Sequence, residues 1–271
     1  MDWLSRQFST RVIALMPVAI AINIVLGYTV QTVFKLPIYL DSIGTIFVGV
    51  LAGPIAGALT GILSNLIWQY APGIGGGTIG PFAVVAGVIG LLAGLWGQLG
   101  VYRRRPAQGT SLWGPVAVAI VVILVLASRI YGNPVYDDPE YFVSWYSTAI
   151  LIVAVVLSAA VAVAAYVRRD AAAAWVALAG ALTGVVAALA SAPISAYVFG
   201  GVTGGGTDVI VAALRQGGTD VLNAALGQGF FSDPIDKTIT SFVVFVVLAS
   251  LSSRLVARFP LGERLLGAES A

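Results

Sequence analysis

The stretch PIYLDSIGTIFVGVLAGPIAGALTGILSNLIWQY, residues 37–70, decides the fold. It carries glycine at 49, 53, 57 and 61, one at every fourth position, and no charge between Asp41 and Asn65. In water each such glycine would cost a helix about 1 kcal/mol relative to alanine. In a bilayer it lets neighbouring backbones approach closely. The segment is therefore read as membrane helix, with its glycines as packing residues. Polar groups stand at its two ends: Asp41 at one, and Asn65, Trp68, Gln69 and Tyr70 at the other.

The rest of the chain agrees. Its 271 residues are 59% hydrophobic and 10% charged, and its mean hydropathy is +0.96. Soluble domains carry about 25% charged residues, so the composition is that of an all-α integral membrane protein forming a single polytopic domain over 1–271. Cysteine is absent, which excludes disulfides and thiolate metal sites. Histidine is absent too, which removes the usual general base and zinc ligand. The sequence contains no Walker A motif, no G-x-S-x-G elbow and no H-E-x-x-H. It reads as a chain without an ATP site of its own and not as an enzyme. No cofactor and no nucleic-acid partner is expected; the lipid bilayer is.

A spanning helix needs about 20 apolar residues. The first is expected over 11–33. The 37–70 stretch would reach about 51 Å as one helix, at 1.5 Å per residue, too long for one span. Proline disfavours a helical residue before it, so Gly53-Pro54 is expected to divide the stretch into a hairpin of helices, 37–52 and 55–70. Further helices are expected over 82–102, 113–130, 142–167, 172–198 and 234–258, eight in all. Basic residues gather on the cytoplasmic side of a membrane. Eight spans put Arg6, Arg11, the 103–105 arginines, Arg168, Arg169 and the C-terminal arginines on that side, with both termini in the cytoplasm of a plasma-membrane protein. The acidic loop 131–141 then lies outside. Within 199–233, two apolar runs each follow a Gly-Thr-Asp triplet, 206–208 and 218–220. Neither run can span, so 207–228 reads as two short helices capped by Thr or Asp, either lying on the outer face or re-entrant.

Gly57-Ala58-Leu59-Thr60-Gly61 recurs as Gly180-Ala181-Leu182-Thr183-Gly184, and each copy is followed by a Gly-Gly-Gly-Thr run. Two origins remain open: a 4+4 parallel repeat covering 11–102 and 113–258, or coincidence in a chain rich in Ala, Gly and Leu. Transporters often place substrate at a repeat interface.

Candidate binding residues follow from topology. Asp41 and the 65–70 cluster emerge on one face, where Asp41 is either a helix cap or an acceptor for a polar ligand. Asn65 and Gln69, four apart, share a helix face, and their uncharged amides suit a heterocycle's edge. Trp68 could stack on a ring or belong to the interfacial belt. Asp233-Pro234-Ile235-Asp236-Lys237 reads as the start of the last helix, with Lys237 a cation in a first turn that disfavours it. The expected pocket thus has Asp41, Asn65, Trp68 and Gln69 on one side and Asp208, Asp236 and Lys237 on the other, roofed by 71–81 and 199–233.

The run LDSIGTIFVGVLAGPIAGALTGILSNLI, residues 40–67, resembles the second and third helices of substrate-binding S components of energy-coupling factor (ECF) transporters. The likeness is clearest over 11–102 and weaker over 172–258. It implies a subunit that captures a small vitamin-like or nucleoside-like heterocycle from outside for ATP-driven uptake. A transmembrane T subunit and two ATPase subunits would be separate partner chains. The chain departs from the pattern in having eight expected helices where the family has about six. Its first helix also lacks the family's Ala-x-x-x-Ala docking motif. Similar helices occur in the membrane regions of some histidine kinases, so a ligand-sensing or structural membrane module is the alternative.

Overall fold

The computed structural model describes residues 2–34, 36–74, 78–103 and 172–266. The expected helices over 113–130 and 142–167 lie outside the described residues, as does the 131–141 loop. All regular structure among the described residues is helical. A short helix α1 (Asp2–Gln7) precedes α2 (Thr10–Gly27), which continues as a π-helical segment over Tyr28–Val33. The hairpin α3 (Ile43–Ala52) and α4 (Pro54–Tyr70) follows, then a 3-10 turn at Gly80–Phe82 leading into α5 (Ala83–Gln98). Beyond the undescribed stretch come α6 (Ala172–Phe199), α7 (Asp208–Gln216), α8 (Val221–Ser250), α9 (Ser253–Val256) and α10 (Gly262–Leu266).

Among the described residues, three helical stretches are long and apolar enough to cross a membrane: Thr10–Val33, Gly80–Gln98 and Trp175–Phe199. Large apolar side chains face outward along the helices, among them Ile13, Val25, Val84, Leu178, Leu189 and Val246. A bilayer accepts such a surface; a water-soluble helical body would bury these faces.

The hairpin is built as its glycine and proline require. Gly53 adopts φ +121°, a conformation strained for any L side chain, and Pro54 opens α4. Gln7 Oε1 accepts from Ile55 N at 2.9 Å and fastens the turn to α1. Several bounds differ from expectation: the helix expected over 82–102 ends at Gln98, and the one expected over 234–258 ends at Ser250 before the separate short α9. The first helix of the hairpin begins at Ile43, not 37, because Tyr39 and Leu40 direct their backbone N–H groups to Asp236 and Leu40 takes φ +50°. At ten residues α3 reaches only about 15 Å, roughly half a hydrocarbon core. It is buried all round, with Ile46, Val50 and Leu51 packed against Val85, Ile89 and Phe242, and Val48 against Val12 and Met16.

A further difference corrects the reading of 207–228. The run after Thr219 is no separate short helix. It forms the first turns of α8, which passes straight through Pro234 to Ser250. Asp220 is the cap, accepting from Leu222 N and Asn223 N at 3.1 Å each. The Asp233-Pro234 signal therefore marks the interior of a helix. A mid-helix proline costs one backbone hydrogen bond, and the close seat of Gly184 against Pro234 shows the site is specifically packed.

Both copies of the repeated pentapeptide are helix-packing contacts. A Cβ on Gly57 would lie 2.6 Å from both Gly49 Cα and Gly90 O. One on Gly184 would lie 2.4 Å from Asp233 O and Pro234 Cα, and one on Gly180 would lie 2.7 Å from Lys237 O. The first copy thus seats α4 against α3 and α5, and the second seats α6 against α8. Arginines mark one end of the body: Arg11 donates to Arg258 O at 3.3 Å and Arg264 to Gln98 O at 2.8 Å. The cavity described next lies towards the opposite end, where Asn65 of α4 and Ser191 and Ser195 of α6 line it.

Candidate functional site

Three polar devices organise the end away from the arginines. The first is wholly structural. Asn23, in the middle of α2, donates to Thr45 Oγ1 at 2.8 Å and Ser64 Oγ at 2.9 Å and accepts from Gly44 N at 2.7 Å. All three elements of the α2–α3–α4 unit are tied by one saturated amide. Such a group, buried and fully partnered, adds specificity without offering anything to a ligand.

The second device is an ion cluster. Lys237 Nζ donates to Asp236 Oδ2 and, at 2.9 Å, to Ser42 Oγ, and it lies 3.6 Å from Asp41 Oδ1. Asp236 is fully buried, and its Oδ1 accepts from Leu40 N at 2.8 Å and Tyr39 N at 3.0 Å. Gln31 donates to Asp41 Oδ2 at 3.1 Å and to Tyr39 O at 3.3 Å. Gln31 sits on the π-helical segment that ends α2; such segments often occur at functional positions because they redirect one side chain. The cation that looks out of place in a helix's first turn is thus in the middle of α8, held by two carboxylates and a hydroxyl. The third device is the roof. Asp208 accepts from Thr203 N, Thr203 Oγ1 and Gly204 N at 2.6–3.0 Å, and Thr78 Oγ1 donates to Thr203 O at 2.9 Å. The two loops are stitched together across the chain. Tyr39 joins roof to floor: its hydroxyl donates to Thr207 Oγ1 at 3.3 Å and accepts from Gln228 Nε2 at 3.0 Å.

Between them lies a cavity with about 840 Å³ of atom-free space, its open mouth included. Its floor is polar, with Gln31, Tyr39, Asp41, Ser42 and Lys237. One wall, from the start of α5, is apolar: Phe82, Val85, Ala86 and Ile89. The wall from α6 and α8 offers Ser191, Ser195, Gln228 and Asp233, while Asn65 reaches in from α4. At the rim Phe82 stacks on Phe199 with ring centres 5.7 Å apart. Apolar walls with a few convergent polar groups are the usual make-up of a small-molecule site.

Of the residues picked out in the sequence, Asp41, Asn65 and Lys237 line this one cavity. The others take supporting places. Asp236 lies behind Lys237 and anchors the 39–40 backbone. Trp68 is buried against Gly27 and donates its indole N–H to Ile74 O at 3.0 Å. Gln69 accepts from Gly80 N at 2.7 Å and fastens the 71–80 loop. Asp208 holds the roof loop. The polar lining that sequence reasoning passed over includes Gln31, Ser42, Ser191, Gln228 and Asp233. For Asp233 the signal is visible in the sequence but reads there as the start of a helix. For Gln31, a π-helical turn carries no sequence mark.

Asn65 differs from the other amides around the cavity. Asn23, Gln31 and Gln228 all have partners, whereas Asn65, only 5% exposed, lines the cavity with no hydrogen bond among the described residues. An unpaired buried amide costs about 1–3 kcal/mol, which a molecule in the cavity would relieve. No protein-family model, curated protein or solved structure matches the chain, so the site stands on its own geometry.

Proposed function

We propose that this chain is a membrane-embedded capture subunit, binding a small vitamin-like or nucleoside-like heterocycle from outside the cell in the cavity beneath the 78–80 and 203–207 loops. In this reading it spans the plasma membrane eight times with both termini cytoplasmic, the arginine end inside and the cavity end outside. The two GALTG helices are equivalent members of a 4+4 repeat. Separate T and ATPase subunits supply the energy for release inside the cell.

The observation that carries the reading is Asn65: a buried amide facing a largely apolar cavity whose other amides, Gln31 and Gln228, already have partners. A heterocycle presenting a donor and an acceptor edge would complete it, while Phe82, Val85 and Ile89 cover its face. The test is a thermal-shift screen of the purified full chain against a vitamin and nucleoside panel, repeated with Asn65→Ala. A hit should lose about tenfold or more in affinity in the variant, the scale of one good hydrogen bond. A hit whose affinity is unchanged in Asn65→Ala places the ligand elsewhere and sinks the site. Affinity purification from native membranes should bring down a T subunit and two ATPase subunits; recovery of the chain with a kinase partner instead would support a sensing role.

A further inference from the structure

We infer that the compound this cavity takes carries a positive charge, as a protonated amine or a cationic ring, and that Asp233 is its counter-ion. The inference rests on reading the cavity as a ligand site and adds the charge of what fills it.

Three acidic side chains, Asp41 and Asp233 on the cavity and Asp236 behind it, stand with a single ammonium, Lys237, so among the described residues of the cluster the acids outnumber the cation by two. The ammonium is already committed. Its contacts are Asp236, Ser42 and Asp41, and its Nζ lies 5.8 Å from the centre of the Tyr39 ring. Asp41 further accepts from Gln31. Asp233, one helical turn before Lys237, is left over. It is 4% exposed, lines the cavity and makes no ion pair among the described residues. Its hydrogen bond comes from Ser191 Oγ at 3.5 Å, the outer limit for such a contact.

A buried carboxylate without a cation is strongly unfavourable, and one that faces a cavity is positioned for a cation from outside the chain. Asn65, buried on the same cavity and without a hydrogen bond among the described residues, supplies a carbonyl acceptor that suits a donor-bearing cation equally well. The hydroxyls of Ser191 and Ser195 offer further acceptors. The carboxylates do not converge: among the described residues no group of three acidic or imidazole or thiol side chains could hold a metal ion. Charge spread over a site with an apolar wall at Phe82, Val85 and Ile89 fits an organic cation with a ring.

The experiment uses the purified full chain in detergent and two sets of ring compounds matched in shape and different in charge. These are benzylamine, benzyl alcohol and benzoate, and pyridylmethylamine, pyridylmethanol and nicotinate, each titrated to millimolar levels by thermal shift. The amines should bind wild type at least about tenfold more tightly than their neutral and anionic analogues, and Asp233→Asn should erase that preference. Asp233→Asn should also melt no lower than wild type in the absence of any compound, since it removes an uncompensated charge without changing shape. Binding of the alcohols or carboxylates as tight as that of the amines overturns the charge assignment and leaves the ligand-site reading standing. A marked loss of stability in unliganded Asp233→Asn makes the carboxylate a structural partner of Lys237 and overturns it as well. Failure of all six compounds to stabilise the wild-type chain counts against both the site and its charge.

Discussion

The two GALTG contacts use the same five residues for different ends. On α4, Gly57 and Gly61 meet the backbone of α5 and of Gly49, and everything within reach of the missing Cβ atoms is apolar or main chain. On α6, Gly180 and Gly184 also meet main chain, that of Lys237, Thr238, Asp233 and Pro234, together with Ser241 Oγ, but on α8, the helix that carries Asp233, Asp236 and Lys237. The threonines of the two copies diverge as well. Thr60 Oγ1 only donates back to Ala56 O, whereas Thr183 Oγ1 donates to Ala179 O and also accepts from Trp96 Nε1 at 2.9 Å. Small residues let two backbones approach wherever they occur; what the approach achieves depends on the facing helix. In the first contact it makes a tight hairpin, and in the second it presses a charged stretch of α8 against the cavity.

The sharpest way to break this comparison is to remove the charge it depends on. Lys237→Met leaves Asp236 fully buried with no cation, and should cost about 3–5 kcal/mol in unfolding experiments in detergent. The paired Asp236→Asn, Lys237→Met variant should recover part of that loss. A single variant as stable as wild type would mean that the second contact is no more electrostatic than the first.

Next come the glycines. Gly57→Ala and Gly184→Ala each force a methyl to within 2.6 Å or less of backbone atoms, and overpacking of this kind costs about 1–3 kcal/mol. The two should differ in function. Gly184→Ala displaces the backbone of Asp233 and should weaken ligand binding beyond its effect on melting temperature. Gly57→Ala should lower the melting temperature and leave the affinity of the folded fraction intact. Equal loss of affinity from both would erase the distinction.

A smaller contrast concerns the threonines. Thr183→Val strands the indole N–H of Trp96, a cost of about 1–3 kcal/mol. Thr60→Val, which removes only a local back-bond, should be nearly neutral in the same melting experiment.

The smallest effect lies outside both contacts, at the cap of α8. Hydrogen bonds from the backbone and side chain of Asn223 hold the Asp220 carboxyl below its usual value. A depressed native value stabilises the fold above the ordinary carboxylate range, near pH 4, and the contribution is lost as pH falls through the lower native value. The protection of the Leu222 and Asn223 amides from hydrogen exchange, relative to their intrinsic rates at each pH, should therefore fall on acidification in wild type but not in Asp220→Ala.

Much of the fold could be read in advance from local signals. Gly53-Pro54 announces a hairpin because proline excludes the helical conformation before it and glycine tolerates the positive φ that follows. Periodic apolar runs announce helices, and arginines share an end. The start of α3 and the continuity of α8 were not legible in this way. The 37–42 segment gives up helix to serve Asp236, almost two hundred positions away, and Pro234 is kept helical by packing against Gly184. Local propensity yields to such long-range partners, which no window of sequence contains.

The sequence by itself determined that this is a helical membrane chain with glycine-seated helix pairs and without histidine or cysteine chemistry. These follow from composition and period, which are properties of neighbours along the chain. Tertiary structure alone decided which polar residues are finished and which are open. Lys237 and Asp236 satisfy one another, and Trp68, Gln69 and Asp208 are used up by nearby backbone, while Asn65 and Asp233 are left facing the cavity. Whether a buried polar group has a partner depends on distances between helices far apart in the chain, and so it can be seen only after they have packed.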